Sequence, residues 1–267
     1  MIITICGLLF SCTRVTFKPR REFTRWLHKQ FLRSFNGVTI IRLDSSEQLN
    51  ARTMYCFHPH GMVANGLGLG MLSVASTGNP RVTIAVARSL FWLNPVFKWL
   101  VNSHGIGMCT VSRSDLRREM AVGSTIGICP GGFEEALLMQ RNEDVVFLTK
   151  RSGFIHLAAN HGYKLVPVLT FGESQIYTNV FHMPRCLKKV SARWGIPLVW
   201  PRGESRFSFN PQKLPFGLRI VFGEAVSTSR CNSDSDYYNT IHRNYVAYLS
   251  LLYTRFNPYS IYRLSIL

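Results

Sequence analysis

Short apolar, β-branched runs alternate along this chain with segments whose apolar residues recur at three- and four-residue steps. That alternation narrows the fold before any motif is considered. Residues 53–57 (TMYCF), 82–87 (VTIAVA), 125–129 (TIGIC), 165–171 (LVPVLTF) and 218–222 (LRIVF) read as buried strands. Between them, residues 112–122 carry a serine at the head of a helical pattern with a polar face. The clearest unit is 152–172. There Ser152 is placed to cap a helix whose Phe154, Ile155, Leu157 and Ala158 share one side, Gly162 ends it, and a strand follows. Residues 234–255 set Tyr238, Ile241, Tyr245, Tyr248, Leu249 and Leu252 at helical spacing, as expected of a packing helix. Strands interleaved with helices in this way predict an α/β fold, a mixed sheet flanked by helices.

The chain is long enough to bury one large core: 267 residues, 46% of them hydrophobic, with no linker-like stretch, repeat period or low-complexity segment to divide it. Seven cysteines without C-x-x-C spacing, several inside apolar runs, do not make a disulfide framework. Cys56, His58 and His60 alternate, but no second cluster has the spacing of a structural zinc site, and metal binding is ranked low. G-x-G-x-x-G and G-x-x-x-x-G-K-[ST] are both absent, which removes the dinucleotide and phosphate-loop readings.

Lysine and arginine number 31 against 14 acidic residues, a formal net charge of +17 that suits a polyanion or an anionic membrane. Arg14, Lys18, Arg20, Arg21, Arg25, Lys29 and Arg33 interleave with Phe23, Trp26, Leu27, Phe31 and Phe35, whose spacing puts rings on one helix face and cations on the other. Such a pattern favours a helix lying in a headgroup region over one packed on its own domain. Residues 1–10 (MIITICGLLF) are apolar but fall well short of the roughly 20 that a spanning helix needs. They also lack the charged n-region and cleavage site of a signal peptide. Residues 89–101 (SLFWLNPVFKWLV) read either as core or as a membrane-dipping helix.

Two constellations carry chemistry. His58-Pro59-His60-Gly61 emerges where the 53–57 strand gives way to a loop, the place where α/β sheets put their sites. Histidine can accept and return a proton near neutral pH, so the loop offers a general base, although a plain turn would have the same composition. Cys129-Pro130-Gly131-Gly132-Phe133-Glu134-Glu135 joins a strand end, a glycine turn and an acidic helix start. Its glycines let backbone N–H groups approach a ligand oxygen, and its glutamates suit a helix N-terminus whatever the function.

The order of these blocks resembles the type 2 diacylglycerol acyltransferase family. The resemblance rests on Phe57-His58-Pro59-His60-Gly61, on Pro130-Gly131-Gly132 with Glu135, and on Arg151-Ser152-Gly153-Phe154 through Gly162, Val166-Pro167 and Phe171-Gly172-Glu173. Arg202-Gly203 and Val221-Phe222-Gly223-Glu224 extend it, so it covers the chain from Phe57 onward. Taken with the basic aromatic helix, it gives a membrane-associated segment over residues 1–35 and an acyltransferase domain over 36–267. It also implies O-acyl transfer from acyl-CoA to a lipid alcohol, with diacylglycerol giving triacylglycerol and monoacylglycerol or wax alcohol as the alternatives. Acyl-CoA would be the co-substrate, with no cofactor and no metal. The setting implied is the cytosolic face of the endoplasmic reticulum membrane or a lipid droplet, with the membrane surface as partner, no nucleic acid, and a homo-oligomer left open.

On this reading His60 takes the acceptor's proton, with His58 as the other candidate, and Glu135 orients the histidine or the acceptor. The Gly131 and Gly132 amides would hold a developing oxyanion, and Pro59 and Gly61 are counted with them among the substrate-binding residues. Arg151 would meet the phosphates of coenzyme A or serve as an ion-pair partner. Wider relatives place an aspartate five positions after the histidine to hold its tautomer, whereas Val63 and Asn65 stand there in this chain. His156 stands where a basic residue is usual, and the short apolar start replaces a longer hydrophobic hairpin. A non-catalytic lipid-surface protein and a nucleic-acid binder are the readings of other classes. No nucleic-acid module supports the second.

Overall fold

The computed structural model describes residues 32–33, 35–43, 52–78, 81–138, 143–179, 201–204, 211–228, 235–259 and 263–267. The basic aromatic segment and the apolar start read from the sequence lie almost wholly outside these residues. In chain order the elements are β1 (Val38–Arg42), β2 (Thr53–His58), α1 (Asn65–Ser76), β3 (Val82–Val86), α2 (Arg88–Leu93), α3 (Pro95–Ser103), β4 (Ile106–Thr110) and α4 (Arg113–Ala121). They continue with β5 (Thr125–Ile128), α5 (Gly132–Leu138), β6 (Glu143–Val146), α6 (Gly153–Asn160), β7 (Lys164–Phe171), α7 (Glu173–Ile176), β8 (Thr178–Asn179) and β9 (Pro201–Arg202). The last three are β10 (Leu218–Phe222), α8 (Ser235–Phe256) and β11 (Arg263–Ile266).

The expected α/β architecture with a large mixed sheet is present. Seven strands run in the order β1-β10-β7-β2-β5-β3-β4 among the described residues. β10 lies antiparallel to β7, while β2 is parallel to both of its neighbours, β5 and β7. The period-two alternation of each strand then divides the core into two layers. Met54 and Cys56 point to one face, with Ile126, Ile128, Leu165 and Leu169, under α6 and α8. Tyr55 and Phe57 point to the other, with Ile84, Val166, Val168 and Phe222, under α1. The two layers explain why β2 and β7 read as unbroken apolar runs.

Several local expectations need adjustment. Ser112 does cap α4, its hydroxyl accepting from the Asp115 N–H. Ser152, by contrast, stands before α6 with no side-chain cap, and its carbonyl takes the Ile155 and His156 amides instead. Residues 89–101 form two helices broken at Asn94, whose side chain accepts from the Phe97 N–H. Phe91, Phe97 and Val101 pack against the core while Trp92 stands 73% exposed, so the segment is partly core and partly outward-facing. No helix among the described residues is long and apolar enough to cross a membrane. His156 lies against the Tyr238 ring of α8 with centroids 4.0 Å apart, so it does not simply face solvent.

Helix α1 was not legible in the sequence, because glycines at 66, 68 and 70 weaken it as a helix former. Two of them are required by packing. A Cβ on Gly66 would overlap Thr170, and one on Gly70 would overlap the Phe57 ring, so the helix lies flush on β7 and β2. Gly68 faces open space. Gly68→Ala should therefore raise stability by about 0.5–1 kcal/mol by removing unfolded-state freedom. Gly70→Ala should lower it by about 1–3 kcal/mol through overpacking. Thermal denaturation of the two variants beside the parent protein checks the pair.

Candidate active site

Because β5, β2 and β7 run parallel, their carboxyl ends deliver three loops to one edge of the sheet. These are His58-Pro59-His60-Gly61, Cys129-Pro130-Gly131 and Gly172-Glu173, so blocks far apart in sequence converge here. Two buried carboxylates hold the first loop. Glu135, 1% exposed, accepts the His60 N–H at 2.7 Å through Oε2 and the Phe147 N–H at 2.9 Å through Oε1. Glu173 accepts the Asn65 N–H at 2.8 Å and the Asn65 side-chain amide at 3.0 Å through Oε1, and the Gly66 N–H at 2.8 Å through Oε2. A Cβ on Gly61 would overlap the Glu173 side chain, and one on Gly131 would overlap the Glu135 carboxylate. Glycine is thus needed at both turns so that the chain can cross a carboxylate.

The two histidines are not equivalent. His58, the last residue of β2, is fully buried and points to the α8 side of the sheet, where its Nε2 lies 3.0 Å from the Tyr245 hydroxyl. Its Nδ1 sits 3.8 Å from Glu135 Oε1, too far for a hydrogen bond, and is without one. His60 is half-buried, and its Nδ1 lies 2.8 Å from the Gly61 carbonyl oxygen. A carbonyl can only accept, so Nδ1 carries the proton and Nε2 holds the lone pair. A backbone oxygen one residue away thereby sets the tautomer.

The sequence also singled out Pro59, Gly61, Gly131, Gly132 and Arg151. Pro59, which follows a cis peptide bond, is buried together with Gly61 and Gly131. The Gly132 N–H donates to the Cys129 carbonyl at 3.0 Å, which corrects its expected part as an oxyanion donor and leaves the Gly131 amide of the two. Arg151 pairs with Glu134 and lies over the Phe147 ring, its centre 5.7 Å from the centroid, so the ion-pair reading is the one the geometry shows. Tyr245 and Glu173 were not recognised as site residues. Tyr245 sat inside an apolar periodicity that masked its hydroxyl, whereas Glu173, two positions after the end of β7, carried a signal in being acidic beside a buried strand end.

Electrostatics follow from burial. The thiols of Cys56 and Cys129 are pushed upward by desolvation, which removes them as thiolate nucleophiles near neutral pH. Desolvation also raises the Glu173 carboxyl to about 7, against the opposing pull of its Asn65 and Gly66 donors and with a smaller push from Asp144. Asp144 is itself raised by burial, while Ser174 at 2.5 Å and Tyr253 at 2.9 Å hold its carboxyl oxygens. No group of three or more metal-ligating side chains occurs among the described residues.

The arrangement is that of an α/β fold with a histidine-bearing loop at the carboxyl edge of its sheet. The chain belongs to the diacylglycerol acyltransferase family, whose model matches residues 6–263. It is 27% identical to diacylglycerol O-acyltransferase 1 of Schizosaccharomyces pombe, over 96% of this chain and 78% of that protein. It is 32% identical to mouse acyl-CoA wax alcohol acyltransferase 1 over 61% of this chain, and 38% identical to human 2-acylglycerol O-acyltransferase 3 over 45%. Those alignments take in 50% and 37% of the two relatives, so the chain matches about half or less of each. The crystal structure of the 1-acyl-sn-glycerophosphate acyltransferase PlsC from Thermotoga maritima superposes with a TM-score of 0.46 at 12% identity, over 96% of this chain and 97% of that one.

Two outcomes follow from the site's interactions. The folded Glu173 keeps its proton up to about 7 whereas an unfolded glutamate releases it near 4.5, so across that window the native state binds more protons. Stability should therefore fall as pH rises from about 4.5 to 7, by on the order of 3 kcal/mol for this group, as read by denaturant midpoints across the range. Tyr245→Phe takes the hydroxyl from His58 Nε2 and should cost about 1–3 kcal/mol, readable in the same assay.

Proposed function

We propose that this chain transfers a fatty acyl group from acyl-CoA to the hydroxyl of a lipid alcohol, with diacylglycerol as acceptor and triacylglycerol as product. The observation that carries this reading is the His60 ring. Its Nδ1 proton is committed to the Gly61 carbonyl, so a lone pair stands on Nε2 at the edge of the sheet. That nitrogen takes the acceptor's O–H proton as the oxygen attacks the thioester carbonyl. The new ester bond forms, the carbon–sulfur bond breaks, and the departing thiolate recovers the proton from the imidazolium. No covalent enzyme intermediate is required, which agrees with the raised thiols of Cys56 and Cys129.

Full burial of His58 gives it a positioning part, tying β2 to α8 through Tyr245. Glu135 orients His60 through its backbone N–H and not through its ring. The Gly131 amide is the oxyanion donor that the turn offers, and one such donor is worth about 3 kcal/mol in related chemistry. Arg151, beside Glu134, is the cation this reading offers to the phosphates of coenzyme A. The two alternative acceptors, monoacylglycerol and a wax alcohol, present the same hydroxyl to the same nitrogen. The family members named above for 2-acylglycerol and wax alcohol keep both in view.

The reading also sets the sheet's carboxyl edge against a lipid surface, on the cytosolic face of the endoplasmic reticulum membrane or on a lipid droplet. Val63, Trp92 and Val111 follow the ends of β2, β3 and β4 and stand 49%, 73% and 49% exposed. The net charge of +17 adds attraction to anionic headgroups.

Labelled acyl-CoA given to membranes carrying the protein, with a panel of lipid alcohols, tests the reaction. His60→Ala at matched expression should lower turnover by about 10²–10⁴-fold. Transfer to a different alcohol would change the acceptor and keep the mechanism. No transfer to any alcohol, with vesicle binding retained, would replace the enzyme by a lipid-surface protein.

A further inference from the structure

Helix α1 begins without a cap of its own. The residue before it, Ala64, adopts φ +55° and provides no side-chain acceptor, and no acidic residue lies in its first turn. The first N–H groups of a helix need partners, most of all when buried, and Asn65 and Gly66 are both buried. Their acceptor comes from a residue 108 and 107 positions away: both oxygens of Glu173 are spent on these two amides and on the Asn65 side chain. The same side chain runs beneath Gly61, so closely that no Cβ fits there. Gly61 is also the residue whose carbonyl holds the His60 ring.

We propose that Glu173 is a positioning residue of the acyl transfer, its carboxylate fixing the peptide from Gly61 to Gly66 and with it the direction of the His60 imidazole. The proposal rests on the reading of His60 as the base. Glu135 holds the loop at the His60 N–H and Glu173 holds it at the start of α1, so the segment is fastened at both ends by carboxylates from different strand ends. Both carboxylate oxygens are occupied by these donors, so Glu173 itself does not reach substrate. It acts through the loop.

A helix cap alone would explain the hydrogen bonds but not the choice of group. A fully buried carboxylate with no ion pair among the described residues is unfavourable for folding, and desolvation accordingly lifts this one. The groups around it do not relieve that cost. Asp144 of β6 adds a like charge, and Tyr177 after α7 and Cys129 after β5, both raised chiefly by burial, are pushed further upward by the Glu173 charge, with Glu135 also raising Cys129. What the carboxylate supplies and an apolar residue would not is two acceptors at fixed separation, which lock the backbone under Gly61.

Glu173→Gln keeps the shape, leaves one acceptor oxygen and turns an amide N–H₂ toward a backbone donor. Measured in membranes with labelled acyl-CoA, kcat should fall about 10–100-fold with KM for acyl-CoA within twofold and the thermal midpoint not lowered. Amide hydrogen exchange over residues 59–66 should accelerate, a readout that needs no turnover. Should Glu173→Gln fail to fold, Glu173→Asp takes its place, keeping the charge with a shorter arm, and the same fall in kcat is expected. A folded variant with kcat within twofold of the parent, or with unchanged exchange over 59–66, overturns the proposal while leaving His60 as the base. Loss of the parent's own transfer to every alcohol would overturn the acyl-transfer reading, and the exchange result would then still decide whether Glu173 fixes the loop.

Discussion

A short peptide must leave the end of β2 with one imidazole turned inward and the next turned outward, and then enter a helix at once. Two buried carboxylates make this conformation stable. Glu135 takes the His60 amide and Glu173 takes the first amides of α1, so the polar groups of a tight buried turn find acceptors without water. The glycines at 61 and 131 leave room for the side chains that do this. Without the carboxylates the turn would bury unpaired N–H groups, each costing about 1–3 kcal/mol.

The sheet determines where those carboxylates can come from. β2 lies between β5 and β7 and parallel to both, so the residues that follow each of them reach the same edge. Strand alternation does the rest. His58 shares a face with Met54 and Cys56 and is carried into the layer under α8, where Tyr245 meets it. His60, two residues beyond and past the end of the strand, escapes that layer and keeps a ring nitrogen for chemistry. A histidine pair that looks symmetric in sequence thus separates into a buried anchor and a half-buried ring because one of the two is still part of the β-ladder.

The blocks around the site were the legible part of the sequence, because each requirement is local. Gly61, Gly131, Gly132 and the paired glutamates mark turns and helix starts by residue type alone, and the runs of β2, β7 and β10 declare burial by their continuity. Helix α1 and strands β1, β4, β6 and β11 were not read, the helix because glycines suit its packing at the expense of its propensity, and the strands because their runs carry too little periodic signal. Ser152 marked the start of α6 correctly as a position and incorrectly as a cap, since backbone carbonyls rather than its hydroxyl serve the first turn.

By itself the sequence determined the α/β class, the strand-end loops that carry chemistry, and the family, since these depend on periodicity and on residue types at short spacing. Tertiary structure decided which histidine is buried, how the His60 tautomer is held, that the Gly132 amide is already engaged, and that Arg151 answers Glu134. It also brought Glu173 and Tyr245 to a loop more than a hundred positions away. The physical reason is that these outcomes are set by which atoms meet across the sheet, a matter of strand order and register that hydrophobic patterning leaves open.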